Sequence, residues 1–145
     1  MKQILIGTLV WLAVVLPTFG KSTVIPVTPK DTDSIDQFKF VVTNSTVSNG
    51  LSFHVIITAK HGLMPTDGKG YLCAANLTEQ SQSIGPMTSE TQVTLKTDKR
   101  TSIADFVASP QLLNNPDACF VFVILDHNGP SADFYVLKLR DFTKR

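Results

Sequence analysis

The stretch "ACFVFVILDHNGPSADFYVLKLRDF", residues 118–142, holds two β-rich runs on either side of a short polar segment. Aromatic and β-branched side chains fill both runs, and Asn128-Gly129 between them is a strong hairpin signal. The first run is apolar on both faces, which is typical of a strand in the middle of a sheet. The stretch therefore predicts a β-hairpin with a central strand, and the polar segment is interpreted as its bend.

The predicted strand at residues 119–125 has two apolar faces, and we expect each face to be buried in a different way. We expect the face that begins with Cys119 to pack into the core. The other face carries three large side chains, Phe120, Phe122 and Ile124. Leaving each of them in water would forgo about 1.5–3 kcal/mol of burial free energy. A helix nearby in sequence is the first expected cover, and the N-terminal leader or another protein are the alternatives.

Alternating apolar and polar residues predict further strands along the chain. In "LSFHVIITAK", residues 51–60, the odd-numbered positions are apolar and are predicted to face the core. Similar alternation predicts strands at residues 37–44, 71–77 and 91–97, and the residues between 44 and 50 are typical of a turn.

One segment changes period. Ile103, Phe106 and Val107 recur at helical spacing, which predicts one or two helical turns with Ser102 as the N-cap and Pro110 as the end. A single helix among six or seven short strands is too little for a parallel sheet, which needs repeated crossover connections. The sequence therefore predicts an all-β antiparallel sandwich of about seven strands with one short connecting helix.

The number and spacing of the strands resemble those of immunoglobulin-like and fibronectin-like sandwich domains. The resemblance implies two packed sheets with loops gathered at the two ends. It does not extend to motifs, because the one tryptophan, Trp11, precedes every strand, and Asp117 occupies the position two residues before Cys119. No functional residue is carried over from the resemblance.

The N-terminus has the layout of an export signal. Lys2 precedes a thirteen-residue apolar run at residues 4–16, and Thr18 and Gly20 occupy the small-residue positions of a cleavage site. This run is shorter than the roughly 20 residues of a membrane-spanning helix. We predict a signal peptide at 1–20, an extended leader or edge strand at 21–36, and a sandwich domain at 37–145.

The net charge of the chain limits the kinds of partner that it is expected to bind. The chain has thirteen basic and twelve acidic residues, and loss of Lys2 with the signal peptide would leave twelve of each. A balanced surface lacks the clustered lysine and arginine that nucleic acids require, and it gives no electrostatic attraction to an anionic membrane. We expect a secreted or periplasmic protein with a protein or glycan partner, no nucleic acid and no stable membrane anchor.

Cys73 and Cys119 are the two cysteines of the chain. In an oxidising compartment an even number of cysteines favours a disulfide, whereas two buried thiols are the alternative. A bridge would close a loop of 47 residues. The chain-entropy relation gives it a stabilising contribution of roughly 4 kcal/mol.

Two loops are the predicted contact surfaces. The first is the glycine-rich loop at residues 61–70, with His61, Asp67 and Lys69 as its candidate contact residues. The second is the hairpin loop at residues 126–133, with three candidates: Asp126, His127 and Asn128. Loops at one end of a sandwich commonly form its contact surface.

Other chemistry-bearing groups lack the spacing of a known site. His54, His61 and His127 are not spaced as a local metal-binding pair, and no catalytic or cofactor-binding residue is predicted. Residues 31–36, "DTDSID", depart from a calcium-binding loop and are interpreted as a solvated linker. Sequons at Asn44 and Asn76 are acceptors only in a host that glycosylates exported proteins.

Three functions of different class follow. The first is an exported, non-enzymatic module that binds a partner or serves a structural role through loops at one end. The second is a small hydrolase or metal-dependent enzyme that uses His54, His61 or His127. The third is an assembly subunit that pairs with a neighbour through an edge strand.

Overall fold

A computed structural model of the chain describes residues 23–74, 91–125 and 132–143. Within these ranges there are nine strands, one α-helix and one 3₁₀ helix: β1 (Thr23–Pro26), β2 (Phe38–Val47), β3 (Gly50–Ala59), β4 (Lys69–Cys73), β5 (Thr91–Val93), β6 (Leu95–Asp98), β7 (Thr101–Ala108), α1 (Pro110–Leu113), β8 (Cys119–Leu125), β9 (Ala132–Lys138) and the 3₁₀ helix Leu139–Phe142. Neither helix has the length and apolar character that crossing a membrane demands.

The strands form two sheets that pack face to face. One sheet has the order β1-β9-β8-β4-β5 and the other has the order β2-β3-β7-β6. Every neighbouring pair is antiparallel except β1 and β9, which run parallel. The predicted all-β sandwich is confirmed. There are nine strands rather than about seven, because one predicted strand divides in two and because the segment predicted as a helix is also a strand.

The divided strand is "TQVTLKT". It was predicted as one strand, but β5 pairs with β4 in the first sheet and β6 pairs with β7 in the second. Val93 is buried and Leu95 is half-buried, so the inward positions are as predicted. Alternation shows which side chains face the core, but it does not show which strand the backbone pairs with.

The core lies between the sheets and is rich in aromatic rings. Phe120 stacks on Phe106 with ring centroids 5.2 Å apart, and Phe122 meets Phe38 edge to face at 5.5 Å. Tyr135 of β9 completes this group, 5.2 Å from Phe38. The apolar face of β3 is buried here as predicted, at Phe53, Val55, Ile57 and Ala59.

The central position of β8 is as expected, but its two faces are exchanged. Phe120 and Phe122 point between the sheets, and the second sheet is their cover. The face with Cys119 and Val121 belongs to a separate buried cluster, against which Val24, Tyr71 and Phe134 pack. The expectation that a helix would cover the phenylalanine face was wrong. Both faces are apolar, so the sequence pattern could not distinguish them.

The predicted helix at residues 103–107 is also wrong, because these residues belong to β7. Ser102, Ala104 and Phe106 face inward at period two, and β7 pairs with β3 over eight residues. Two of these inward residues are small, so the strand pattern was masked by the helical spacing of the larger ones.

The helix lies one step later in the chain. Pro110 begins α1 rather than ending a helix, and the Ser109 hydroxyl accepts a hydrogen bond from the Leu112 N–H at 3.2 Å. Proline suits the first turn of a helix, where its missing N–H has no partner to lose.

The β2–β3 hairpin is tighter than predicted. β2 continues to Val47, so Asn44 and Thr46 lie in a strand and the turn is confined to Ser48 and Asn49. Gly50 follows with a φ of +146°, and a Cβ there would lie 1.9 Å from the Ala108 carbonyl oxygen. Both the backbone angle and the close approach require glycine at this position.

Candidate functional site

The two predicted contact loops leave from the same end of the sandwich. Lys69, at the start of β4, pairs with Val123 near the end of β8. Thr58, near the end of β3, pairs with Thr101 at the start of β7. The loop after β3, the turn before β7 and the end of β8 therefore lie at this end of the sandwich, which we call the loop end. Asp126, His127 and Asn128 lie outside the described residues.

The loop at residues 60–68 presents one apolar side chain. Leu63 is 72% exposed, whereas the next residue, Met64, is buried with 3% exposure. The Met64 N–H donates to the Lys99 carbonyl at 2.8 Å, which ties the loop to the turn before β7. Gly62 has a φ of +70°, a conformation that favours glycine. The hydrogen bond at Met64 orders the backbone on one side of Leu63, whose side chain is exposed to solvent.

Charged side chains form hydrogen bonds and ion pairs where this loop leaves β3. The Arg100 guanidinium donates to the Ala59 carbonyl at 3.0 Å and to the Lys60 carbonyl at 3.4 Å. The Lys60 ammonium lies 3.5 Å from the Asp33 carboxylate and also donates to the Asp33 carbonyl. Lys39 approaches the same carboxylate at 4.0 Å. These contacts connect the loop to the leader, so the loop end includes residues from three segments of the chain.

The acidic stretch at residues 31–36 is a turn closed by its own side chains. The Thr28 hydroxyl donates to the Asp31 carboxylate at 2.7 Å, and the Ser34 hydroxyl donates to the Asp31 carbonyl at 3.2 Å. Within the ranges that the structure describes, no three histidine, cysteine or acidic residues lie close enough together to hold a metal ion.

The glycines of "DGKG" have a packing role. A Cβ on Gly68 would lie 2.9 Å from a ring carbon of Phe122, and one on Gly70 would lie 3.0 Å from a ring carbon of Phe120. The chain passes this close to both phenylalanines as it enters β4. Close packing against the core therefore accounts for both glycines.

Two grooves flank the exposed leucine loop. A groove of about 250 Å³ opens on one side, and its walls comprise Gln37, Phe38, Ala59, His61, Leu63 and Pro65. A second groove of about 550 Å³ lies between the start of β4 and the β5–β6 crossing, and includes Asp67, Lys69, Gln92 and Thr94. The candidate residues of the first predicted loop are thus brought to one end, but His61 lines one groove and Asp67 and Lys69 line the other.

Leu63 was missing from the predicted contact residues, which were chosen for polarity and charge. A signal was present in the sequence, because "HGLMP" places two large apolar residues between a glycine and a proline. Only the fold shows that Met64 is the buried anchor and Leu63 the presented side chain.

His54 lies on the outer face of the four-stranded sheet, as predicted, and it has a partner that the sequence did not reveal. Its Nδ1 lies 2.5 Å from an Asp105 carboxylate oxygen on the neighbouring strand. On the other side of β3, His54 pairs with Thr43 of β2. Among the described residues, no hydrogen bond joins the side chains of Thr43 and His54. Asp105 was assigned to a helix from the sequence, which is why this contact was not foreseen.

The geometry of the His54–Asp105 pair is typical of a surface contact rather than of a catalytic or metal-binding site. The side chains of His54 and Asp105 are 44% and 54% exposed on an open strand face. β3 ends at Ala59, five residues after His54, and His61 lies beyond that end. At about 3.3 Å per residue, the end of the strand is about 17 Å from His54. His54 and His61 are therefore too far apart to share one ion.

The two cysteines face each other across one pair of strands. Cys73 of β4 is directly opposite Cys119 of β8, the two lie 4.5 Å apart, and both are buried. The predicted disulfide is not formed in this structure. What the structure adds is the cross-strand juxtaposition, which the sequence spacing did not contain.

One core group has a perturbed ionisation. Tyr135 is 1% exposed, and burial raises the pKa of its phenol to about 12, with the nearby Asp133 carboxylate adding to the rise. Desolvation disfavours the charged form of a buried phenol. Tyr135 is therefore a neutral member of the core at physiological pH.

Comparison of the chain with protein-family models, curated proteins and solved structures gave no match.

Proposed function

We propose that this chain is an exported, non-enzymatic β-sandwich module that binds a protein partner through the loop end. The observation that carries the proposal is Leu63, a large apolar side chain with 72% exposure on a loop that the Met64–Lys99 backbone hydrogen bond ties to the turn before β7. A loop whose backbone is already ordered loses less conformational entropy when a partner buries its exposed side chain. Such a residue is suited to be an interface anchor.

The strand order supports an immunoglobulin-like type of sandwich. The sheets β2-β3-β7-β6 and β9-β8-β4 have the same order as the A-B-E-D and G-F-C sheets of immunoglobulin constant-type domains. In that correspondence the loop after β3 is the B–C loop and the β8–β9 connection is the F–G loop. These two are among the loops with which variable domains bind their ligands.

Export and a disulfide complete the proposal. The signal-like residues 1–20 would direct the chain out of the cytoplasm, where Cys73 and Cys119 would meet an oxidising environment. Directly opposite residues of antiparallel strands have Cα atoms about 4.5–5.5 Å apart, which overlaps the 4.4–6.8 Å range found in disulfides. We therefore propose that the two cysteines are bridged in the exported protein.

A protein is favoured over a glycan as the partner. Burial of a leucine is worth about 1.5–3 kcal/mol, a driving force that an apolar protein surface can supply. The groove that Leu63 lines provides room for a partner side chain beside it.

The test compares three versions of the exported protein, immobilised side by side and exposed to extracellular fluid of the source. Leu63→Ser should weaken retention of the partner about ten- to a hundredfold, the equivalent of losing a buried leucine. Val107→Ser is the control, because Val107 is 44% exposed on the outer face of β7, away from the loop end. Both variants should unfold within a few degrees of the wild type, since exposed substitutions change stability by about 0.5 kcal/mol or less.

Equal retention by all three versions would contradict the proposed anchor. Retention that disappears when the fluid is treated with deglycosylating enzymes would change the partner class to a glycan.

A further inference from the structure

We infer that the free edge of β2, residues 42–46, pairs with the same edge of a second copy of the chain, so that two four-stranded sheets join into one. This edge lies on the side of the sandwich, so pairing there is independent of the loop end. The backbone directions along β2, the absence of charged residues at positions 42–46 and the contrast with the other sheet edges support this pairing.

Hydrogen bonding at the start of β2 establishes which backbone groups point outward. The Phe40 N–H donates to the Thr32 carbonyl of the leader at 2.9 Å, on the side away from β3. Successive residues of a strand direct their backbone groups to opposite sides, so Val42, Asn44 and Thr46 also point theirs away from β3. Within the described part of the chain, the leader bonds this edge only at Phe40, and no backbone hydrogen bond reaches the outward groups of the later three residues.

The remaining edges of both sheets have features that discourage pairing. β1 is four residues long and contains Pro26, and β5 has three residues. β6 has four residues, including Lys96 and Asp98. Short strands, proline and charge are the usual protections of a sheet edge. β2 is ten residues long, and no charged residue occurs between Lys39 and His54.

A second copy fits this edge because the edge is complementary to itself. A two-fold axis through Asn44 places Val42 opposite Thr46 of the second copy and Asn44 opposite its own equivalent. All outward groups of these residues then pair, which gives about six backbone hydrogen bonds. Moving the axis toward Phe40 would lose bonds, since the Phe40 N–H is already taken by Thr32. A two-fold contact of one surface with itself is the commonest form of homodimer.

The axis at Asn44 makes the test specific. Asn44→Lys places two positive charges directly opposite each other in the dimer, and like charges in that position destabilise strand pairing. Asn44→Lys and Asn44→Asp both lose the hydrogen bond from the Asn44 amide to the Phe142 carbonyl at 2.8 Å, so the mixture of the two variants isolates the effect of charge. We expect at least a tenfold weaker dimer by analytical ultracentrifugation of the exported protein, produced in a host that does not glycosylate it. Mixing Asn44→Lys with Asn44→Asp should restore a heterodimer. Gln92→Lys, which adds the same charge to the exposed face of edge strand β5, should dimerise like the wild type.

A second measurement uses the unmodified protein, so that it does not depend on the variants folding. The amides of Val42, Asn44 and Thr46 should exchange hydrogen slowly at high protein concentration and quickly at low concentration. Concentration-independent exchange, or a wild-type monomer at about 0.5 mM, where even a weak contact would be populated, overturns the inference. It is also overturned if Asn44, the acceptor of the first sequon, carries a glycan on every molecule of the natural protein, because the sugar would occupy the two-fold axis.

Discussion

Replacing Phe122 by alanine should remove one of the largest contributions to the free energy of unfolding. Its ring is fully buried in the middle of the sandwich, 5.5 Å from Phe38 and 6.1 Å from Tyr135. Truncation of a buried phenylalanine costs about 3–5 kcal/mol, which includes the cavity that remains.

The local structure places Phe122→Ala in the upper part of that range. Each aromatic pair contributes about 0.5–1.5 kcal/mol beyond burial, and two such pairs are lost. The loop backbone at Gly68 already approaches the ring so closely that a Cβ would lie 2.9 Å from it. A rigid backbone wall limits collapse into the cavity, so we expect a loss of about 4–5 kcal/mol.

Urea unfolding followed by circular dichroism measures this loss. Small domains have about 5–15 kcal/mol of stability, so the variant should lose a large share of it and unfold roughly 10–20 °C earlier on heating. Phe134→Ala is the matched control, because Phe134 is a half-buried ring on the opposite face of the same sheet. It should cost less, about 1–3 kcal/mol.

A loss below about 1 kcal/mol for Phe122→Ala would refute the packing argument, because no fully buried phenylalanine is so cheaply removed. If that small loss came with the disappearance of self-association, the phenylalanine face would be an intermolecular contact, and the sheets would not pack as described.

Two further predictions concern ionisation and redox state. The pKa of Tyr135 is about 12 in the folded protein and 10.0 in an exposed phenol, so the unfolded chain loses this proton at a lower pH than the folded protein does. The free energy of unfolding should therefore fall by about 2–3 kcal/mol between pH 10 and 12. Tyr135→Phe should remove that part of the decline in urea titrations at alkaline pH, and an unchanged decline would assign it to other groups. Intact-mass analysis of the unreduced exported protein after alkylation should find no reactive thiol at Cys73 and Cys119. Two alkylated thiols would show that the disulfide is not formed. If the disulfide is present, Cys119→Ala should lower the free energy of unfolding by about 2–5 kcal/mol.

Much of the fold could be predicted because burial in a strand is a local, period-two property. The inward residues of β3, from Phe53 to Ala59, follow directly from alternation, and so does the central place of β8 from its two apolar faces. Leu63, by contrast, could not be chosen as the presented side chain over Met64, since both are large and apolar.

The sequence by itself determined which segments are β-rich, which side chains of the alternating strands turn inward, and that polar connections follow β3 and β8. Tertiary structure decided what depends on partners distant in the chain. Pairing with β3 made residues 103–107 a strand, packing against the second sheet chose the phenylalanine face of β8 as the core face, and strand register brought His54 to Asp105 and Cys73 to Cys119. The physical reason is that alternation encodes burial, whereas register and sheet membership come from contacts between strands that no local pattern specifies.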